Sequence, residues 1–198
     1  MQQALKTIDD DFAATAVTRT AQQLSSPRLA LLLRHWHEVR GRRLMPGWQD
    51  LDPSQLTPVL PEIWAWGYDR ETDRFTGRLL GEKIHVLLGR SIANVSMEAY
   101  FEGWNHAEIV ACRKRVVDEP AIALERGQIF RCDGQIGFGE RLILPLAKDG
   151  RHTDMIVGAS DYELRADFLA EATGPGGAEP GKSALGYLGG TVTQFFPL

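Results

Sequence analysis

The chain is poor in cysteine, with two among 198 residues. Cys112 and Cys132 are too few for a disulfide framework, and two thiols alone cannot build a four-ligand zinc site. We interpret them as ordinary reduced cysteines and expect a cytoplasmic protein. No metal site is predicted.

Long apolar runs and an excess of basic charge are also missing. No stretch of about 18 apolar residues occurs, so no membrane span is expected. Residues 1–24 carry an acidic triplet at 9–11 and lack an apolar run, which argues against a signal peptide. The formal net charge is −4. Because nucleic-acid binding needs a basic face, no nucleic-acid partner is expected.

An amphipathic helix is predicted over residues 27–42. Ser26 is a suitable N-cap and Pro27 a suitable first helical residue. One apolar stripe follows at helical spacing, formed by Leu29, Leu32, Leu33, Trp36 and Val39. We expect the stripe to cover the outer face of a sheet, within the chain or across a homodimer. The residues predicted for this dimer or partner interface are Leu29, Leu32, Leu33, Trp36, Trp64 and Trp66.

The remaining elements follow the order of an α+β domain. Two strands joined by a polar turn come first, then short helices, then three further strands. The predicted ranges are 63–68, 75–80, 82–88, 97–101, 105–118, 121–130, 139–146 and 154–163. Strands at both ends of this order predict a five-stranded antiparallel sheet with short helices on one face. The first strand is apolar on both sides, so we expect both faces of the sheet to be covered.

The two ends of the chain are predicted to flank one domain. Residues 1–26 are interpreted as a loosely ordered lead-in with some helix, and 27–165 as the domain. Residues 172–190 contain seven glycines and two prolines, which is typical of a flexible tail over 166–198. The apolar residues near the end could dock on a partner or back on the domain. Residues 176–183 match a phosphate-loop pattern literally, but they lack the preceding strand and following helix that such a loop requires.

Several dispersed motifs carry a family resemblance. They are Trp36, Pro46, Asp52-Pro53, Leu60-Pro61, Phe75, Arg78, Leu79, Gly81, Gly89, Leu144-Pro145-Leu146 and Asp149-Gly150. In this order, over residues 27–164, they resemble a stand-alone bacterial subfamily of PAS domains, formerly a domain of unknown function. Gly77 departs from the family pattern, which has an aromatic residue there, and this change could enlarge or reshape the interior, so the pocket need not be the family's pocket.

The resemblance implies a sensory module with a mostly apolar cavity between the sheet and the short helices. The residues predicted to line it are Phe75, Arg78, Leu79, Ile84, His85, Leu88, Trp104, Leu142, Leu144 and Val157. The pattern does not decide which side of the last strands faces the cavity. Arg78 could point inward and hold a ligand carboxylate or phosphate, or point outward and pair with Glu38 or another acid.

Three functions are compatible with the sequence. The first is a non-catalytic regulatory module that binds a small molecule or a partner protein and signals in trans. The second is a structural adaptor with a closed core. The third is an enzyme that uses the same cavity, for which no catalytic residue is identified. The cofactor is unknown: His85 and His106 lack the surroundings of a haem ligand, and no flavin motif is recognised.

Overall fold

A six-stranded antiparallel sheet organises the chain. The computed structural model describes residues 2–102, 106–132, 135–166 and 191–198. The strands are β1 (Ile63–Asp69), β2 (Arg74–Leu80), β3 (Ala121–Cys132), β4 (Gln135–Leu146), β5 (Met155–Ala166) and β6 (Val192–Pro197). They lie in the order β2-β1-β5-β4-β3-β6. The predicted α+β class and antiparallel pairing are confirmed.

Helices cover both faces of this sheet. They are α1 (Gln2–Ala21), α2 (Pro27–Arg40), α3 (Glu82–Leu88), α4 (Met97–Tyr100) and α5 (His106–Asp118). Three single-turn 3-10 helices connect α2 to β1, at Trp48–Asp50, Pro53–Leu56 and Leu60–Glu62. Helices α1 and α2 lie on one face, and α3, α4 and α5 lie on the other.

The predicted count of five strands is wrong by one, because the end of the sequence forms β6. This strand pairs with the outer edge of β3, where Phe196 lies opposite Ile122. It begins after a glycine-rich segment and alternates its side chains between the two faces of the sheet. The lead-in forms helix α1, which packs on β3 and β6. Residues 167–190, including the phosphate-loop pattern, lie outside the described residues.

Helix α2 begins and ends as its sequence predicts. The Ser26 hydroxyl accepts a hydrogen bond from the Leu29 backbone N–H at 3.2 Å, and Pro27 opens the first turn. Gly41 ends the helix with a φ of 57°, a backbone conformation that glycine adopts without steric cost. The indole N–H of Trp36 donates to the Pro145 carbonyl at 2.8 Å. This bond fixes α2 across β4.

The predicted interface residues lie inside the chain rather than on a surface. Leu29, Leu32, Leu33 and Trp36 are at most 2% exposed and pack against β4 and β5 of the same chain. Trp64 and Trp66 lie on the opposite face, in the core under α3, α4 and α5. The apolar stripe of α2 is therefore already covered by the sheet of the same chain. A dimer through these residues would require α2 to leave the domain.

Gly77 permits a close backbone approach at the edge of the sheet. Its N–H donates to the Val95 carbonyl at 2.9 Å, and its carbonyl accepts from the Asn94 N–H at 3.0 Å. A methyl group on Gly77 would lie 2.0 Å from the carbonyl oxygen of Ile92. Of the two expected effects of Gly77, enlargement of the interior is not seen, because the backbone of Ile92 fills the space that an aromatic side chain would need.

Candidate functional site

An apolar cavity of about 70 Å³ lies between the sheet and helices α3, α4 and α5. Its walls are aliphatic and aromatic side chains, and three polar side chains close one end. The lining residues are Trp64, Trp66, Leu80, Ile84, Leu87, Leu88, Ile92, Met97, Tyr100, Phe101, Ile109, Arg113, Ile129, Phe130, Arg141 and Ser160. Sites that hold drug-sized ligands are typically about 300–1,000 Å³, so this cavity suits a much smaller molecule.

Helix α3 forms one wall of the cavity. Its single amphipathic repeat buries Ile84 and half-buries Leu87 and Leu88, while His85 is exposed. The helix is short because Gly89, with a φ of 64°, ends it after two turns. One side of the cavity is therefore closed by a single short helix.

A row of polar side chains crosses the sheet at the end of the cavity. Glu125 on β3 lies opposite Arg141 on β4, and Arg141 lies opposite Ser160 on β5. Arg141 Nη1 donates to Glu125 Oε2 at 2.9 Å, and Arg141 Nε donates to Ser160 Oγ at 3.0 Å. The three strands thus present one hydrogen-bonded row to the cavity side of the sheet.

Helix α5 adds a second arginine to this row. Arg113 Nη1 donates to Glu125 Oε1 at 2.8 Å, and the Arg113 guanidinium lies 5.8 Å from the centre of the Trp64 ring. The side chains of Glu125, Arg113 and Arg141 are 0%, 5% and 11% exposed. A fully buried carboxylate therefore bridges two nearly buried guanidinium groups. Together these contacts position α5 over the sheet.

Comparison with known proteins assigns the family. The family model described as PAS domain matches residues 24–160, well over half of the 198 residues. This chain belongs to the PAS domain family. No curated protein and no solved structure is matched by it. Family membership indicates a sensory or regulatory module. Among the helices in the described parts of this PAS domain, none has the length and apolar character of a membrane span.

Two of the predicted lining residues, Ile84 and Leu88, do line the cavity of the PAS domain. Phe75 is fully buried in the neighbouring core, where its ring lies 4.8 Å from that of Tyr68. Leu79 and His85 are exposed. Trp104 lies outside the described residues.

The residues of the last strands that were predicted to line the cavity lie on the opposite face of the sheet. Leu142, Leu144 and Val157 pack under α2, because the alternation of β4 and β5 turns Arg141 and Ser160 toward the cavity instead. These three residues therefore belong to the α2 side of the sheet.

Arg78 does not reach the cavity. The β1–β2 register places Ala65 opposite Leu79 and Trp66 opposite Gly77, so Arg78 is the extra residue of a β-bulge. Its side chain is exposed over Gly67 and lines a different, more polar pocket of about 300 Å³. The suggested partner Glu38 pairs with Arg34 at 3.9 Å.

The polar end of the cavity was not predicted from the sequence. One signal was available: Glu125 and Arg141 each stand inside a predicted strand beside apolar residues. A charged side chain in such a position is seldom buried without a partner of opposite charge. The pairing itself depends on the register between β3 and β4, which the sequence does not display.

Cys112 lies beside this row and is predicted to react slowly. Its Sγ donates to Glu125 Oε1 at 3.3 Å, and burial raises the pKa of the thiol to about 11. Because the thiolate is the nucleophile, we expect alkylation at neutral pH on the order of 100-fold slower than for a free thiol.

Iodoacetamide labelling of a Cys132→Ser variant, followed by mass spectrometry, measures this rate on Cys112 alone. The rate should rise about tenfold per pH unit with no plateau up to about pH 10, since the thiolate fraction is still growing there. Glutathione labelled under the same conditions is the reference. A plateau near pH 9 would show an ordinary thiol and contradict the prediction.

Proposed function

We propose that this PAS domain is a non-catalytic sensory module whose cavity binds a small molecule and which signals in trans to a partner protein. The observation that carries the proposal is the cavity itself. It combines apolar walls with one polar end whose side chains are held in place by hydrogen bonds and by packing. Small-molecule sites typically have this composition: a mainly hydrophobic lining with a few fixed polar groups.

The charged groups at the cavity favour binding over catalysis. The charged residues in the described lining are Arg113 and Arg141, and arginine stays protonated at any physiological pH; Tyr100 adds a phenol hydroxyl. Glu125 is engaged by both arginines, and the pKa of Cys112 is raised to about 11. Arginine and a thiol with so high a pKa are poor proton carriers at neutral pH, since efficient general acids and bases have pKa values near the working pH.

A bridge through Glu62 gives a route from the cavity to α2. Glu62 Oε1 accepts from Lys83 of α3 at 3.0 Å and from Arg28 of α2 at 3.1 Å, and the Glu62 side chain is 4% exposed. Arg28 also lies 3.3 Å from Asp161 on β5. A ligand that shifts α3 would change this bridge, provided that the ligand binds one arrangement better than the other.

The bridge predicts a measurable coupling between α2 and α3. Arg28→Met and Lys83→Met each leave Glu62 one cationic partner, whereas the double variant leaves the buried carboxylate neither. We expect the double variant to lose about 0.5–1 kcal/mol more unfolding free energy than the two single variants combined. This coupling free energy is modest because the Arg28 and Lys83 side chains are almost half exposed. Urea denaturation measures it, and strict additivity would show that the bridge does not couple the helices.

A cavity-filling variant tests ligand binding. Ile109 lines the cavity and is 4% exposed, so Ile109→Phe places extra volume where the ligand would lie. We expect native mass spectrometry of gently purified wild-type protein to show a retained small molecule, and the variant to lose it. Val86→Phe is the matched control, because Val86 is 69% exposed on the outer side of α3. Equal retention by wild type and Ile109→Phe would place the molecule elsewhere and contradict the proposal.

The structural adaptor is the second candidate, and the small volume of the cavity favours it. A void of about 70 Å³ holds only a few water molecules if it stays empty of ligand. The adaptor predicts a clean apo mass in the same experiment. It also predicts that Ile109→Phe stabilises the protein or leaves it unchanged, since no ligand is displaced.

A further inference from the structure

We propose that a second pocket, separate from the PAS cavity, binds a free α-amino acid with a large apolar side chain. The pocket of about 300 Å³ lies where β1, β2 and β5 meet the 3-10 helix Trp48–Asp50 and the turn between β4 and β5. Its volume reaches the lower end of the range that is typical of small-molecule sites. The inference is independent of the proposed function, since none of the described lining residues is shared by the two pockets.

The local shape of the sheet places Arg78 in this pocket. Gly67 on β1 lies opposite Thr76 on β2 and opposite Met155 on β5. A Cβ atom on Gly67 would lie 3.0 Å from Nε of Arg78, so the glycine leaves room for the guanidinium to lie close to the strand. In the described part of the chain, no carboxylate pairs with Arg78. The guanidinium is therefore available to a ligand carboxylate, which it can bind through two parallel hydrogen bonds.

The charges in the lining of this pocket are balanced. Two cations, Arg78 and Lys148, and two carboxylates, Asp69 and Asp154, line it. A simple anion would be repelled by the two acids, and a simple cation by the two basic side chains. A zwitterion can turn its carboxylate toward the cations and its ammonium group toward an acid, so it is complementary to both signs of charge. An α-amino acid carries these two charges at neutral pH.

Asp154 is the acid best placed to receive the ammonium group. Its Oδ2 accepts a hydrogen bond from the Lys148 backbone N–H at 3.0 Å, which holds the carboxylate in the β4–β5 turn. The described residues supply no donor to its second oxygen, and an ammonium group has three N–H donors to offer. Asp69 is already engaged in its own turn, where Oδ1 accepts from the Glu71 N–H at 2.8 Å.

The indole of Trp48 supplies an apolar surface for the ligand side chain. Trp48 is 40% exposed, and none of the residues in its 3-10 helix is buried, so the ring does not belong to the core. Met155 is half-buried and lines the same pocket. Aromatic side chains offer a large contact area to a ligand. An amino acid with an aromatic or leucine-like side chain would use this area, whereas alanine would not.

Two-dimensional NMR titration of the full chain tests the inference. The probes are the free amino acids L-phenylalanine, L-tryptophan and L-leucine. N-acetyl-L-phenylalanine lacks the cation, L-phenylalanine amide lacks the carboxylate and L-alanine lacks the large side chain, all at equal ionic strength. We expect the large amino acids to bind, and each of the three losses to weaken binding about tenfold or more. The Trp48 indole N–H and the Gly67 amide should shift, while the Trp64 indole N–H should not.

Variants of the charged residues assign the two contacts. Arg78→Gln should weaken binding about tenfold or more, and Arg78→Lys should weaken it less because it keeps the charge. Asp154→Asn keeps an acceptor for the Lys148 N–H and removes the negative charge, so it should abolish the advantage of L-phenylalanine over its N-acetyl form. Arg74→Gln is the control, because Arg74 is exposed on the same strand as Arg78 and does not line the pocket. Circular dichroism checks that each variant is folded.

The outcomes separate this inference from the proposed function. Equal affinity for L-phenylalanine and its two blocked forms overturns the amino-acid assignment. Binding by none of the three large amino acids overturns it too, as do shifts confined to the PAS cavity. Ile109→Phe fills that cavity and should leave binding at the second pocket unchanged. The proposed function is judged by the molecule retained in native mass spectrometry, so either proposal can fail while the other stands.

Discussion

Replacing Glu125 with glutamine is expected to cost about 3–5 kcal/mol of unfolding free energy, because breaking a buried ion pair leaves an uncompensated buried charge. Glu125 is 0% exposed and accepts hydrogen bonds from two nearly buried guanidinium groups. Glutamine preserves the shape and removes the negative charge, so both arginines face each other without an acid between them. The effect should be among the largest of any single polar substitution in the domain.

Equilibrium urea denaturation followed by circular dichroism measures this loss. Glu119→Gln is the control, because Glu119 is 74% exposed and its pair with Arg115 spans 3.6 Å on the surface of α5. That pair should contribute at most about 0.5 kcal/mol. A loss below about 1 kcal/mol for Glu125→Gln would mean that other groups compensate the charge of the two arginines.

Replacing Trp36 with alanine is expected to cost about 3–5 kcal/mol, the usual penalty for removing a large aromatic side chain from a core. Trp36 is 0% exposed and fills the space between α2 and the sheet. Trp36→Phe separates the contribution of apolar packing from that of the indole hydrogen bond. It keeps most of the apolar contact but leaves the Pro145 carbonyl without its 2.8 Å indole donor, at a cost of about 1–3 kcal/mol.

Trp48→Ala is the matched control, because Trp48 is 40% exposed. Denaturation and light scattering on the same samples test whether the stripe of α2 meets its own sheet or a second copy. If Trp36→Ala left stability unchanged and converted a dimer into a monomer, the stripe would be an intermolecular surface. A variant such as Leu32→Glu would not test dimerisation, because Leu32 is fully buried and a charge there would unfold the domain before it affected any dimer.

The parts of the fold that are determined by residues close together in the sequence could be predicted. Ser26 and Pro27 mark the start of α2, and the leucines that follow identify its buried face. The aromatic strand β1 predicts cover on both faces, which the structure confirms. β6 was missed because its short apolar sequence gains a structure only by pairing with β3, which lies about seventy residues earlier in the chain.

The candidate site was harder to predict because it depends on register. Apolar residues stand on both sides of β4 and β5, so periodicity gave no reason to prefer Arg141 over Leu142 for the cavity face. A shift of one residue in a strand exchanges its two faces. The β3–β4 pairing contains an irregularity between Gln128 and Phe130, and the sequence does not reveal where such a bulge falls. The alignment of Glu125, Arg141 and Ser160 is therefore a property of the folded sheet.

The alternation of β6 has a consequence for how the domain unfolds. Phe196 packs in the core beneath α1 and α2, with the Arg19 guanidinium 5.7 Å from its ring. The adjacent Phe195 packs on the other side, with the Arg115 guanidinium 4.1 Å from its ring. Two consecutive residues thus join the cores above and below the sheet, so neither core can melt at this edge without loosening the other. Thermal denaturation should accordingly be a single cooperative transition, with Trp36 and Trp64 reporting the same midpoint from opposite sides.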